Sequence, residues 1–161
     1  MPEYSQYYQP QLTLPDLLFR AAQEHEEAFI GYVNDDGTIA KQSYRELLQE
    51  AILTATGLQQ LGLKPGDKLI IASQGNREII RLLWGSFLAG VIPTVLQPPM
   101  TFSGYNPAVV KMMNVYTQLG EPFIFLSEDV SGNGELPAEK VKRISDLDSR
   151  GTFDRPELQP G

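Results

Sequence analysis

The chain has no cysteine, one tryptophan and a single histidine among its 161 residues. Without cysteine it can form neither disulfide bonds nor cysteine-ligated metal sites, and this composition fits a reducing compartment. Any Ser-His-Asp triad would have to use His25, which stands among Glu24, Glu26 and Glu27. A solvated charge cluster is the simpler interpretation of these four residues, because adjacent helical positions point apart and share a metal ion poorly.

Positive charge and long apolar runs are also scarce. The 13 Lys and Arg residues are scattered and oppose 20 Asp and Glu residues, so we expect no nucleic-acid partner and no lipid-binding patch. The most apolar stretch, 82–96, is short of the roughly 20 residues that a spanning helix needs, and Gly90 and Pro93 interrupt it. Residues 1–8 lack the basic flank and apolar core of a signal peptide. These features predict a cytoplasmic protein without a membrane segment.

The beginning of the sequence predicts a tail, a capped helix and a hairpin. Residues 1–12 are rich in Tyr, Gln and Pro without periodicity, which is typical of a tail. Thr13, with Asp16 three residues later and Pro15 between them, predicts the start of a helix. Two strand-like runs, 28–33 and 38–43, flank an Asn-Asp-Asp-Gly turn signal and predict a β-hairpin.

From Ser43 onward, helical patterns alternate with short continuous apolar runs. Ser43 and Glu46 form a capping-box pattern, and Asn106-Pro107 is a second helix start. The pattern predicts helices over 44–61, 77–89 and 107–119 and buried strands over 68–72, 91–95 and 123–126. This alternation predicts an α/β fold with three layers and a mostly parallel sheet, preceded by the hairpin. We place the α/β subdomain at 13–130 and a loop-rich segment, with a short helix and an edge strand at best, at 131–161.

Six motifs in this order resemble the opening segment of the adenylate-forming (AMP-binding) ligases. This family includes acyl-CoA synthetases, fatty acyl-AMP ligases and the adenylation domains of peptide and polyketide synthases. The motifs are Thr13-Leu14-Pro15-Asp16-Leu17-Leu18, Ser43-Tyr44-Arg45-Glu46-Leu47, Gly62-Leu63-Lys64-Pro65-Gly66-Asp67, Leu88-Ala89-Gly90-Val91-Ile92-Pro93, Gln97-Pro98-Pro99 and Phe123-Ile124-Phe125-Leu126. The Pro-Pro pair is similar to the acyl-AMP ligase branch. The resemblance covers roughly 13–126 and implies the N-terminal part of that fold.

The residues that perform the family's chemistry have no counterpart here. The resemblance implies ATP and Mg²⁺ for a longer parent, held by a Ser/Thr/Gly-rich loop ending in Pro-Lys-Gly and by later motifs. The run 131–135, Ser-Gly-Asn-Gly-Glu, has no lysine and no amphipathic helix after it, so it is not a phosphate cradle. We therefore expect no catalytic, cofactor or metal residue in this chain. Residues 154–161 resemble a linker of the family, so we expect a boundary within a longer protein.

Three further segments have more than one interpretation. Residues 73–76 follow a buried strand and open a helix, so their amides could face an anion, although a capped helix start is the simpler interpretation. Residues 97–105 could contact an acyl chain or a partner, or cover the rest of the domain. Tyr4, Tyr7, Tyr8 and Tyr105 could form a contact surface or an ordinary tail. We expect core positions for Trp84, Phe87 and Leu88.

Two functional hypotheses follow. In the first, the chain is the inactive N-terminal structural subdomain of an ATP-dependent ligase that passes an acyl group to CoA or to a carrier-protein phosphopantetheine. Its partners would be the remainder of the ligase, an acyl carrier protein and, through an uncovered sheet, a second copy of itself. In the second, the chain is a free-standing α/β protein-interaction module without enzymatic activity. A Pro-Lys-Gly loop encoded downstream would distinguish the first from the second.

Overall fold

A computed structural model describes residues 12–102, 106–130, 132–147 and 149–157. The four tyrosines proposed as a contact surface, nearly all of the predicted tail and Ser131 lie outside these residues. None of the helices in the described ranges is long and apolar enough to cross a bilayer.

The first helix and the hairpin form as the sequence predicts. Helix α1 spans Leu14–Glu24, and the Thr13 side chain accepts a hydrogen bond from the Asp16 N–H while the Asp16 carboxylate accepts from the Thr13 N–H at 2.8 Å. Strands β1 (Phe29–Val33) and β2 (Ile39–Ser43) pair antiparallel with Val33 opposite Ile39. The capping box of α1 is therefore confirmed, because both of its reciprocal hydrogen bonds are present.

The alternating helices and strands also follow the prediction closely. Helix α2 spans Tyr44–Gln60 and begins with the Ser43–Glu46 capping box, and it is followed by Gly62, whose φ is 89°. Glycine adopts this left-handed conformation without a steric penalty, which is why the helix can stop there. The remaining elements are β3 (Lys68–Ala72), α3 (Asn76–Ala89), β4 (Ile92–Val95), α4 (Pro107–Gln118), β5 (Phe123–Leu126), β6 (Val141–Lys142) and a 3₁₀ turn (Ile144–Asp146).

The four-stranded sheet is parallel and has helices on both faces. Its order is β4-β3-β5-β6. Alternate side chains of β3 point in opposite directions: Leu69 and Ile71 pack with α2 and α3, whereas Ile70 and Ala72 pack with α4. This arrangement confirms the three-layer α/β fold, and it explains why β3 is apolar at successive positions.

Strand β4 corrects one prediction. The sequence predicts a buried strand over 91–95, but β4 is an edge strand in which the Ile92 and Val95 side chains are 52% and 45% exposed. A short apolar run indicates a strand without indicating how many neighbours the strand has. Only Val91, immediately before β4, is fully buried as predicted.

The segment after the 3₁₀ turn packs back onto α1 and α2. Leu147 lies against Gly57, where an added Cβ would fall 2.8 Å from the Leu147 Cβ. Phe153 packs on the core between the sheet and α2, and Arg155 pairs with Asp16 and lies over the Phe19 ring at 4.6 Å. We call residues 149–157 the C-terminal strap.

Candidate functional site at the carboxyl edge of the sheet

The loops that follow β3 and β5 meet at one place on the sheet. After β3 the chain turns to α3 on one face, and after β5 it turns to the face covered by α4. Open parallel sheets bind ligands at such a crevice, outside the carboxyl ends of the strands. Here the crevice contains two buried serines, Ser73 and Ser127, and the Gln74 N–H donates to the Ser127 Oγ at 2.8 Å.

The N-terminus of α3 is already occupied by a carboxylate of the chain itself. The Ser73 hydroxyl accepts from the Gly75 N–H at 3.1 Å and donates to the Glu78 carboxylate in the first turn of the helix. A negative charge at this position is stabilised by the helix dipole. Glu78 therefore lies where an external anion would have to bind.

The simpler interpretation of 73–76, a capped helix start, is wrong in one respect. The N-cap residue is Gly75, which has no side chain to accept a hydrogen bond, and the Ser73 hydroxyl is engaged by the Gly75 N–H and the Glu78 carboxylate. The backbone of Gly75 has a φ of −78°, and an added Cβ would approach no atom closer than 3.5 Å. In a phosphate-binding loop, glycine lets the backbone come close to the phosphates. This position does not require glycine, so it lacks that feature.

The glycine-rich run after β5 does not form a phosphate cradle in its described part, 132–135. The Asn133 side chain donates to the Leu136 carbonyl at 2.5 Å, and Gly134 lies directly against Phe102. The two-residue strand β6 is the next element in the chain, so no α-helix begins directly after this loop. A site that binds nucleotide phosphates needs backbone N–H groups that point at the ligand, usually at the start of a helix.

An apolar groove lies at the start of α4, beside the loop after β4. Its volume is about 320 Å³, which is the lower end of the range for small-molecule sites. The Met100 side chain in the preceding loop is 87% exposed. The groove is lined by Phe102, Asn106, Val109, Val110, Met113, Asn114, Gly134 and Glu135. Contact of residues 97–105 with an acyl chain or a partner stays a prediction.

A second cleft, of about 350 Å³, opens at the opposite, amino edge of the strands. Lys68 and Lys140 line it together with Glu121 and the Phe123 ring, which lies 5.2 Å from the Lys140 Nζ. The Asp67 carboxylate is held by the Lys64 N–H at 2.7 Å. This cleft has charges of both signs and lies away from the edge where parallel sheets bind their ligands.

The acidic cluster around His25 is a surface feature. Glu24 pairs with Arg20 at 2.9 Å, Glu26 pairs with Arg45 at 2.6 Å, and His25 is the exposed C-cap residue that follows α1. In the part of the chain that the structure describes, no three acidic or histidine side chains come together as metal ligands. The interpretation as a solvated cluster agrees with these pairings.

The predicted core positions Trp84, Phe87 and Leu88 lie on α3. The Trp84 and Phe87 rings pack edge to face with centroids 5.8 Å apart, and Leu88 is fully buried. Leu88 is thus a core residue as predicted and Trp84 is half-buried against the same core, whereas Phe87 is half-buried and packs on the Trp84 ring without joining the core.

One polar network could not be predicted from the sequence, because its members are far apart in the chain. The Tyr32 hydroxyl donates to the buried Gln42 side chain at 2.6 Å, Gln42 donates to Glu50 at 2.9 Å, and Arg77 pairs with Glu50 at 2.6 Å. Burial raises the pKa of Tyr32, and the hydrogen bond to Glu50 raises the pKa of Arg77. The network fastens the hairpin to α2 and α3, which is a structural role.

Comparison with known proteins identifies the class of fold. No family model matches the chain. Its structure is similar to that of McyG A-PCP complexed with phenylalanyl-adenylate, with a TM-score of 0.83, 29% identity, and coverage of 95% of this chain and 29% of that protein. The chain has the fold of a segment of the adenylate-forming ligases, and the resemblance of its motifs to this family is confirmed.

Two further proteins extend the comparison. A fatty acid AMP ligase from Legionella pneumophila has a TM-score of 0.78 over 99% of this chain and 28% of its own, at 16% identity, which concerns the fold alone. The 3-methylmercaptopropionyl-CoA ligase of Ruegeria lacuscaerulensis is 26% identical over 87 residues, which are 54% of this chain and 16% of the ligase. The chain therefore spans less than a third of the length of each of these three proteins.

Proposed function

We propose that the chain is the N-terminal structural subdomain of an ATP-dependent, cytoplasmic acyl-activating ligase. The complete ligase would join a carboxylic acid to AMP and then pass the acyl group to CoA or to the phosphopantetheine of a carrier protein. Its ATP and Mg²⁺ would be held by residues outside this chain. The observation that carries the proposal is the similarity of 95% of the chain to an adenylate-bound protein at 29% identity.

The carboxyl edge supports a structural role for the chain within that ligase. The N-terminus of α3 is filled by Glu78, and the described part of the glycine-rich run forms no phosphate loop. Adenylation requires cationic groups and amides around the ATP phosphates, where they stabilise developing charge. The chain would thus support residues that other parts of the ligase contribute.

The similar proteins support two different acceptors of the acyl group. The curated relative is a CoA ligase, whereas the solved structures include a protein with a PCP region and an artificially fused adenylation–PCP di-domain from Klebsiella oxytoca. We favour a carrier protein, because the McyG A-PCP structure has the higher identity over most of this chain.

ATP–pyrophosphate exchange tests the inactivity of the isolated chain. We expect exchange at background for a panel of fatty, keto and amino acids. Exchange above background that a point substitution within 1–161 abolishes would contradict the proposal. The coding sequence downstream provides a second test: a Thr/Ser/Gly-rich stretch ending in Pro-Lys-Gly supports it, and a stop codon without such a stretch favours the free-standing interaction module.

A further inference from the structure

The C-terminal strap is held by side chains and not by a backbone ladder. The Gln59 side-chain amide donates to the Asp154 carbonyl at 2.5 Å and accepts from the Asp154 N–H at 3.3 Å. The neighbouring Gln60 amide donates to the Arg150 carbonyl. Between residues 151 and 157, no backbone group forms a hydrogen bond with the backbone of another described residue. The attachment of the strap therefore depends on side chains.

Two side chains of the strap, two residues apart, anchor it to the rest of the fold. Phe153 packs against the hydrophobic core, and Arg155 pairs with Asp16 of α1. Thr152 and Asp154, which alternate with these anchors, are exposed. This alternation is typical of an extended segment. Because Phe153 stays partly exposed, the strap buries less apolar surface than β3, which is almost entirely buried.

The Asp16 carboxylate joins the strap to the first turn of α1. One of its oxygens accepts from the Thr13 N–H at 2.8 Å and from the Thr13 hydroxyl at 2.7 Å, and the other accepts from the Arg155 guanidinium. Hydrogen bonds to a charged acceptor are stronger than neutral ones. Since Asp16 lies in the first turn of α1, fraying of this turn would displace the partner of Arg155. The cap of α1 and the attachment of the strap therefore depend on the same side chain.

Contacts of this kind separate from a fold more easily than a buried sheet does. Segments with little buried apolar surface open locally, at a lower free energy than core strands. We propose that the C-terminal strap detaches from α1 and α2 as one unit while the sheet stays folded, and that Asp16 couples its attachment to the first turn of α1. The attached strap fixes the path of the chain as far as Glu157, and detachment releases this segment.

Hydrogen exchange of the Asp154 amide, followed by NMR at urea concentrations below the unfolding transition, tests the detachment. We expect its exchange rate to change little with urea, because local opening exposes little new surface. The buried amides of the central strand β3 should exchange more slowly and accelerate steeply with urea, since they require global unfolding. Equal urea dependence for Asp154 and β3, or an Asp154 amide without protection, overturns the proposal.

A matched pair of cap variants tests the coupling through Asp16. Thr13→Ala removes the cap of α1 and should increase chymotryptic cleavage after Phe153 roughly two- to fivefold. Ser43→Ala removes the equivalent cap of α2, at the opposite end of that helix from Gln59, and should leave this cleavage unchanged. Both variants lose a capping box, so a difference between them reports local detachment. Equal cleavage of the two variants, or no increase with Thr13→Ala, overturns the proposal.

Discussion

Gly85 of α3 lies so close to Thr54 of α2 that a Cβ added to Gly85 would fall 2.6 Å from the Thr54 Cβ. Real Cβ atoms do not approach so closely, so the two helices can lie at this distance only because residue 85 has no side chain. The Thr54 hydroxyl also accepts a hydrogen bond from Arg81 at 2.9 Å and donates to the Glu50 carbonyl at 2.8 Å. These bonds keep Thr54 in place, so the contact cannot relax by rotation of its side chain alone.

Substitution of Gly85 by alanine should therefore destabilise the fold although alanine favours helices. We expect Gly85→Ala to lower the free energy of unfolding by about 1–3 kcal/mol, as overpacking of a core does. Urea denaturation measures this change. Gly75→Ala is the matched control: its Cβ has room, and a poorer N-cap is offset by lower entropy of the unfolded chain. Equal destabilisation by both variants would contradict the close-packing account.

The Ser43 cap gives a second prediction. Its hydroxyl accepts from the Glu46 N–H at 3.2 Å, and the Glu46 carboxylate accepts from the Ser43 N–H at 2.8 Å. Ser43→Ala should lower the free energy of unfolding by about 1 kcal/mol, whereas Ser43→Gly should cost only a few tenths. Both values are obtained from urea titrations. If alanine and glycine were equally tolerated, the cap would not contribute to stability.

The ionisation of Asp16 makes the stability of the fold depend on pH. Hydrogen bonds from the Thr13 hydroxyl and N–H, and then Arg155, hold the pKa of Asp16 below its ordinary value of 3.8. Because the pKa of Asp16 is lower in the folded state, its ionised carboxylate stabilises the fold at pH values above the pKa of the unfolded chain. This contribution is lost as the pH falls through the folded-state pKa. The advantage of the native protein over Asp16→Asn should thus shrink as pH falls below about 4. A difference that stays constant with pH would contradict this role.

The C-terminal strap is held against α1 and α2 by hydrogen bonds, an ion pair and the packing of Phe153. Arg155 pairs with Asp16 and lies over the Phe19 ring, and Gln59 donates to the Asp154 carbonyl at 2.5 Å. Exposed ion pairs and cation–π contacts each contribute up to about 1 kcal/mol. Arg155→Ala should therefore increase the rate of chymotryptic cleavage after Phe153 severalfold. Arg20→Ala removes an arginine from an exposed ion pair that does not touch the strap, and cleavage should be unchanged.

Local signals predicted the elements of this fold well, for identifiable reasons. The caps at Thr13 and Ser43 and the stop at Gly62 each depend on residues within a few positions of one another. The network that joins Tyr32 to Arg77 depends on partners brought together only by packing, and no local pattern encodes it. The exposure of β4 depends likewise on which strands lie beside it.

The candidate site was less predictable than the fold. The loop after β3 is correctly placed at the carboxyl edge, but the sequence could not show that Ser73 would engage Glu78 in place of capping α3. The boundaries 13–130 and 131–161 stay predictions. The loop-rich segment does contribute β6 to the sheet and Leu147 to the packing against α2.

A chimaera tests the central claim most directly. This chain would replace the matching segment of the McyG adenylation domain, and ATP–pyrophosphate exchange would be measured with phenylalanine for the chimaera and for the isolated chain. We expect substrate-dependent exchange from the chimaera and none from the chain alone, because under the proposed function the chain would support the site without contributing a catalytic group to it. Exchange by the isolated chain, or a cooperatively folded chimaera without exchange, would contradict the account.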